Sequence, residues 1–322
     1  MYSVEVEIGG RTLRLETGKM ARQADGSIHA IYGDTQIIAA AVAADKPSEN
    51  QDFFPLTIEF RERLYASGRF PGGFIKREGR PSDNEILSSR LIDRPIRPLF
   101  PEGFFNETQV MVLVLSSDLE NDAGVMGISA ASAALGISDI PLTKLIAGVK
   151  IGKINGEIIV NPTYSQLPEC TIDLVVAGTK DAVVMVEGSA KEISEEEMLE
   201  ALQIAHDNIK KIIGAQEELI ALCGKPKREV VAKEVDATLK EAVESFVREK
   251  INQAIRIADK EAREKALSEA KDATLLNFEE SYPDQKNTIK AIMENMEYTM
   301  VRQMILNEGV RADGRTYTQI RN

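Results

Sequence analysis

The sequence predicts an α+β protein in which mixed sheets with helices come first and an all-α region follows. Three observations carry that prediction. Up to about residue 190, apolar residues recur with a period of two, in short runs broken by glycine turns. After residue 190 the period lengthens to 3.6 and holds to about 308. Ser82 with Glu85, and Ser194 with Glu197, have capping-box spacing, which marks one helix start before that change and one after it.

Val4, Val6 and Ile8 alternate, Gly9-Gly10 supplies a turn, and Leu13 and Leu15 resume the alternation, so residues 2–17 form a predicted hairpin. A second hairpin joins 27–31 to 35–43 through Gly33-Asp34. The near-continuous apolar character of its second strand predicts burial on both faces. Residues 56–60 are a further short strand. Residues 66–81 form a loop rich in glycine, proline and arginine that ends at the Ser82 capping box. The helix starting there carries Ile86, Leu87 and Leu91, and is expected to stop near Arg94 because proline disfavours helical geometry in the residue before it. Residues 110–115 read as a buried strand, and 124–135 as a helix whose alanines and serines permit close approach. Strands at 145–151 and 157–161 flank Asn155-Gly156, and strands at 172–177 and 182–187 pair across Gly178–Asp181. Met198, Leu202, Ala205, Ile209 and Ile212, spaced four and three, lie on a helix expected to run to Cys223, close at Gly224 and Pro226, and bridge out. Stretches 236–257, 259–276 and 285–308 are predicted helices, with Asp236 as an N-cap.

A chain of 322 residues exceeds one ordinary domain, so two or three are expected. Without tryptophan and with 5% aromatics, its cores are mainly aliphatic. Cys170 and Cys223 lack CxxC spacing and a neighbouring histidine, which points to buried thiols in a reducing compartment. The opening MYSVEVEIGG is too charged for a signal-peptide apolar region, and the longest apolar run, 37–44, is far short of a membrane span. A soluble, cytoplasmic protein with no membrane partner is expected; an organelle form with its transit peptide removed stays open.

Several chemistries find no support. His29 and His206 sit in neither an HxxxH nor an HxE setting, and no Gly-Lys pair is followed by serine or threonine, so a histidine metal site, a histidine-dependent triad and a P-loop are not expected. Asp139, Asp173 and Asp181 are single carboxylates near strand ends. Spacing alone assigns no catalytic residue and no metal ligand.

The net charge of −12 argues against a nucleic-acid partner until its distribution is examined. Between Arg61 and Arg97 nine cations face five carboxylates, a local excess of +4, whereas residues 191–308 carry 18 cations against 25 carboxylates. Within this basic island, Phe74 lies beside Lys76, Arg77 and Arg80 on the glycine-rich loop. An aromatic ring that stacks on a base, next to cations that meet phosphates, is the minimal unit for holding a single strand; the alternative is that Phe74 tucks into the domain. Arg90, Arg94 and Arg97 are spaced four and three, which places them on one helix face with guanidinium forks suited to phosphate oxygens. Local pairing with Asp93 and Glu85 is the alternative there.

The runs Arg63–Arg69, Pro71–Ser82 and Ser89–Pro101 resemble the first core of the polynucleotide phosphorylase family, and the likeness continues through Asp173–Thr179 and the helical insert to Val310–Thr316. The resemblance implies an RNase PH-type core followed by an all-α domain. It implies domains at 1–140 and 141–230, the two subdomains of the first core, a helical domain at 236–308, and the start of a second core at 309–322. It also implies the family's activity, a polyribonucleotide nucleotidyltransferase that degrades RNA from the 3′ end with inorganic phosphate and releases nucleoside diphosphates, in homotrimeric rings that admit single-stranded RNA. Other RNA-degradation proteins are further expected partners. By position, Phe74, Lys76 and Arg77 would narrow the ring's channel, and Arg90, Arg94 and Arg97 would hold RNA near the catalytic centre. Two positions depart from the pattern, Ile75 where the family often has a second aromatic and Lys76 where it often has arginine. In the family, Mg²⁺ or Mn²⁺ and phosphate are held by the second core. The matching stretch Asn121–Gly127 lacks that core's serines, and Asp173 matches one metal aspartate without an evident partner. The second core and the KH and OB-fold modules are expected after residue 322, so these residues are expected to guide RNA and support ring assembly without catalysis. A stand-alone RNA-binding or assembly module and a single-core exoribonuclease of the RNase PH type are the rival readings.

Overall fold

The computed structural model describes residues 1–48, 51, 53–72, 74, 77–230 and 236–321, which form two compact units, Met1–Ala232 and Lys233–Asn322. The first unit starts with hairpin β1 (Tyr2–Ile8) and β2 (Arg11–Thr17), in the register that its Gly9-Gly10 turn dictates. Strands β3 (Gly26–Tyr32), β4 (Thr35–Ala43), β5 (Leu56–Glu62) and β6 (Thr108–Ser116) complete a six-stranded sheet of order β1-β2-β3-β4-β6-β5. All its pairs are antiparallel except β5 with β6, whose parallel pairing is bridged by helix α1 (Asp83–Ile96). Helix α2 (Ala123–Ile137) is buried at every one of its 15 positions, as its small residues allow. It lies so close to β3 that a Cβ on Gly26 would stand 2.0 Å from the carbonyl oxygen of Ala134.

The second sheet has order β10-β9-β7-β8, all antiparallel, from β7 (Ala147–Ile154), β8 (Glu157–Val160), β9 (Ile172–Gly178) and β10 (Val183–Ala190). One core runs through both sheets, joining Ile28, Ile37 and Val112 to Leu135 of α2 and to Val149 and Val176. Helix α3 (Glu195–Cys223) does not bridge out. It packs on β1, β7, β9 and α2 and buries Ala201, Ile209, Ile212 and Leu219. Its fully buried Gln216 is satisfied by the Ser132 hydroxyl, which donates to it at 2.9 Å, and by the Ile146 carbonyl, to which its amide donates at 2.9 Å. The chain then turns back along α2, with the Lys225 N–H on the Ile137 carbonyl at 3.0 Å and Arg228 on Asp139 at 2.9 Å.

In the second unit, α4 (Ala237–Ala254), α5 (Lys260–Phe278) and α6 (Lys286–Glu308) enclose an apolar cluster that includes Val243, Val247, Ile289 and Met293. Gly309 ends α6 in the left-handed region, at φ 70°. A bridge between Val310 and Thr316 follows, and Arg263 of α5 donates to the Ala312 carbonyl at 3.0 Å. Among the described residues no helix is long and apolar enough to cross a membrane.

Two local expectations are corrected. Helix α1 continues through Pro95 to Ile96, and Arg97–Leu99 add a turn of 3-10 helix. In the last turn the missing proline N–H forfeits one hydrogen bond, while Pro95 and Ile96 are buried and the Arg97 N–H still reaches the Asp93 carbonyl. Strand β4 is not buried on both faces: Ala39 and Ala41 face the core, but Val42 on the opposite face is 48% exposed, and Met111, beside Ala40, is 41% exposed.

Candidate nucleic-acid interface

The base of the 66–81 loop is fixed by two carboxylates. Glu78 accepts from the Leu64 N–H at 2.8 Å and from the Arg63 guanidinium; these donors, the backbone one first, hold its carboxyl below the usual range. Glu85 closes the Ser82 capping box, with the Ser82 N–H on its carboxylate at 2.6 Å and its own N–H on the Ser82 hydroxyl at 3.2 Å. It also accepts from the Glu62 N–H at 2.9 Å and lies 3.8 Å from Arg61. Burial alone would raise the Glu85 pKa, yet those backbone donors outweigh it and lower it. Arg61 and Arg63 are therefore engaged in holding the loop.

The described residues toward the loop tip point outward. Phe74 is fully exposed, and Arg69, Arg77 and Arg80 are exposed. Lys76, together with Gly73 and Ile75, lies outside the described residues. Tyr65 and Phe70 are 55% and 85% exposed, so among the described residues three aromatic rings, with Phe74, are accessible around this loop.

Because α1 runs on through Pro95 and Arg97 keeps right-handed geometry (φ −51°, ψ −45°), the four-and-three spacing of Arg90, Arg94 and Arg97 falls on one continuous face. Ile92, Pro95 and Ile96 turn inward and the three arginines outward. Their partners differ. Arg97 donates to Asp93 at 2.7 Å and to the Leu56 carbonyl at 2.9 Å. Arg94 reaches Glu187 of β10 at 2.6 Å. Among the described residues Arg90 has no carboxylate within 4.0 Å. Glu85 pairs with none of the three, since the capping box holds it.

Beside this face, a cleft of about 320 Å³ runs between α1, the start of α2, β9 and β10. Its floor holds Lys150, whose ammonium lies 3.4 Å from Asp122 and 3.2 Å from Asp173. Asp122 also N-caps α2, accepting from the Gly124 and Val125 N–H groups at 3.0 and 3.2 Å. The anion position at this helix start is thus filled by the chain's own carboxylate. Among the described residues no three His, Cys, Asp or Glu side chains converge as metal ligands, and Asp122 and Asp173 of this cleft are both paired with Lys150. This lining does not fit a divalent metal, because the Lys150 ammonium already lies against both aspartates. Burial, with the charges of Glu85 and Asp122, raises the Glu62 pKa at the edge of the cleft. Sequence reasoning missed Lys150, Tyr164 and Glu187; a lysine at the centre of the mainly apolar β7 was the one available signal.

Models of known families match three successive parts of the chain. The 3′ exoribonuclease family, domain 1, matches residues 9–141, and domain 2 of the same family matches 144–208. The polyribonucleotide nucleotidyltransferase RNA binding domain matches 238–316. Proteins named polyribonucleotide nucleotidyltransferase are 48% identical over 320 residues in Geobacter sulfurreducens and 46% identical over 321 residues in Heliobacterium modesticaldum. The alignments cover 99% and 100% of this chain but only 46% and 45% of those relatives, so the chain spans a little under half of their length. The crystal structure of rice Rrp46 shares the fold at TM-score 0.53 and 16% identity, covering 66% of this chain and 96% of that one. The chain belongs to the 3′ exoribonuclease family, and its likeness runs along the N-terminal half of the polyribonucleotide nucleotidyltransferases.

Proposed function

We propose that these residues form the RNA-guiding part of a 3′-to-5′ phosphorolytic exoribonuclease, with 1–140 and 141–230 as subdomains of a first RNase PH-type core, 236–308 as a helical domain and 309–322 as the start of a second core. The observation that carries the proposal is the outward arginine face of α1 beside a loop with exposed aromatic rings. Phosphates would lie on Arg90, Arg94 and Arg97, while Phe74, Lys76, Arg77 and Arg80 grip the strand at the loop, where stacking is worth about 1–3 kcal/mol per base. Assembly as a cytoplasmic homotrimer, contact with other RNA-degradation proteins, and the use of Mg²⁺ or Mn²⁺ with inorganic phosphate belong to the same reading. Turnover is assigned to the part of the relatives that this chain does not span, because Lys150 and the Asp122 cap occupy the cleft where anion and cation would otherwise meet. That occupancy also favours the alternative of an RNA-binding or assembly module without catalysis.

The test is to incubate the 322-residue chain with a homopolymer RNA and phosphate, and to measure strand binding and nucleoside diphosphate release separately. Salt-sensitive binding of single-stranded RNA with little or no release is expected. Failure to bind at low salt would overturn the guiding role; release at the rate of a longer relative would overturn the inactive cleft.

A further inference from the structure

The cleft beside α1 has a chemistry unlike that of its rim. Leu87 and Leu91 of α1 and Val175 of β9 give it apolar walls, Tyr164 lines one side, and Asp173 and Glu187 present carboxylates into it. Its volume of about 320 Å³ falls within the range of pockets that hold small ligands, roughly 300–1,000 Å³. A phosphate is disfavoured, because four carboxylates (Glu62, Asp122, Asp173 and Glu187) face a single Lys150 there. A divalent cation is disfavoured too, because Lys150 already lies within 3.4 Å of Asp122 and 3.2 Å of Asp173. What suits the space is a flat, neutral group with N–H donors on its edge.

Two acceptors are open for such donors. Asp173 meets Lys150 through Oδ1 and Glu187 meets Arg94 through Oε2, leaving Asp173 Oδ2 and Glu187 Oε1 without partners among the described residues. Arg94 ties this acceptor wall to the arginine face, so a strand whose phosphates follow that face would carry a base past the cleft mouth.

We propose that the cleft is a nucleobase subsite that favours bases with an exocyclic amino group over uracil. Resting on the RNA-guiding reading, this adds a preference to it. Cytosine and adenine present an amino group on their Watson–Crick edge, whereas uracil flanks its one N–H with two carbonyl oxygens that face the carboxylates unfavourably.

Binding of short, labelled homopolymers of cytidylate, adenylate and uridylate to the 322-residue chain, followed by fluorescence anisotropy, tests the proposal. Cytidylate against uridylate is the deciding pair, because both are single-ring pyrimidines of similar stacking power. The expected result is cytidylate tighter than uridylate by about tenfold, the scale of a hydrogen bond to a charged acceptor. In Asp173→Asn/Glu187→Gln the ratio falls to about one, since amides offer donors to the uracil carbonyls as well; Glu187→Gln alone falls part of the way and leaves the Lys150–Asp173 pair in place. Arg90→Ala weakens all three homopolymers equally. Equal affinity for cytidylate and uridylate in the unaltered chain, or a ratio that survives in the double variant, overturns the subsite and leaves the guiding role standing. No binding of any homopolymer overturns both.

Discussion

Glu187 of β10 holds the guanidinium of Arg94 at 2.6 Å, joining the second sheet to the first helix across 93 residues of sequence. The pair is exposed, with side chains 56% and 51% accessible, so it contributes little to stability, on the order of 0–1 kcal/mol. Its effect is on availability, because Arg94 is partly neutralised before any phosphate arrives. Glu187→Gln should therefore strengthen binding of a uridylate homopolymer by roughly two- to fivefold at low salt. Anisotropy titrations of the two proteins decide this; equal or weaker binding by the variant would show that Arg94 meets no phosphate.

The arginine face as a whole should set the salt dependence. Removing three phosphate contacts in Arg90→Ala/Arg94→Ala/Arg97→Ala is expected to flatten the slope of log affinity against log salt by about 2, at about 0.7 per contact with a single strand. A slope unchanged in the triple variant would place the strand elsewhere. Arg97 is the residue most tied to protein partners, so its single replacement should matter least of the three.

What was legible in the sequence was local. The hairpin at Gly9-Gly10, the Ser82 and Ser194 capping boxes and the change of period near residue 190 all depend on neighbours a few positions apart, and each has its counterpart in the fold. The face shared by Arg90, Arg94 and Arg97 was legible for the same reason, although Pro95 sits inside α1 rather than ending it. The state of the arginines was not legible, because it depends on strands that meet in space. Glu187 reaches Arg94 only through the register of β10 on β9, which shifts between Val183 and Met185. Lys150, Asp122 and Asp173 come from three separate elements, and spacing along the chain carries no trace of their meeting.

Acid should loosen the start of α3. Glu197 bonds Lys153 of β7 and receives the Ser194 N–H at 2.8 Å, which lowers its pKa from 4.5 to about 2. A carboxylate with a depressed folded-state pKa contributes stability that is present above the unfolded value and is lost as pH falls through the folded one. The loss attached to this group accordingly spans pH 4.5 down to about 2. Glu197→Gln should remove that part of the pH dependence, so the stabilities of the two proteins differ by a constant amount above pH 4.5 and converge as pH falls toward about 2. A constant offset across the window would exclude a charged cap.

Lys227 tests how the end of the buried helix α2 is satisfied. Its ammonium donates to the carbonyl oxygens of Leu135, Gly136 and Ser138 at 2.8, 2.8 and 2.7 Å. Those acceptors include carbonyls from the last turn of α2, which lack partners within the helix, and the negative end of the helix dipole adds to the attraction. Water can replace the ammonium only in part, because every residue of α2 is buried. Lys227→Met keeps the aliphatic stem and removes the donors, and should destabilise the first unit by about 1–2 kcal/mol. Urea unfolding followed by circular dichroism should show a lower midpoint for that unit with an unchanged slope. An unchanged midpoint would mean that solvent reaches these carbonyls and that the lysine only decorates the helix end.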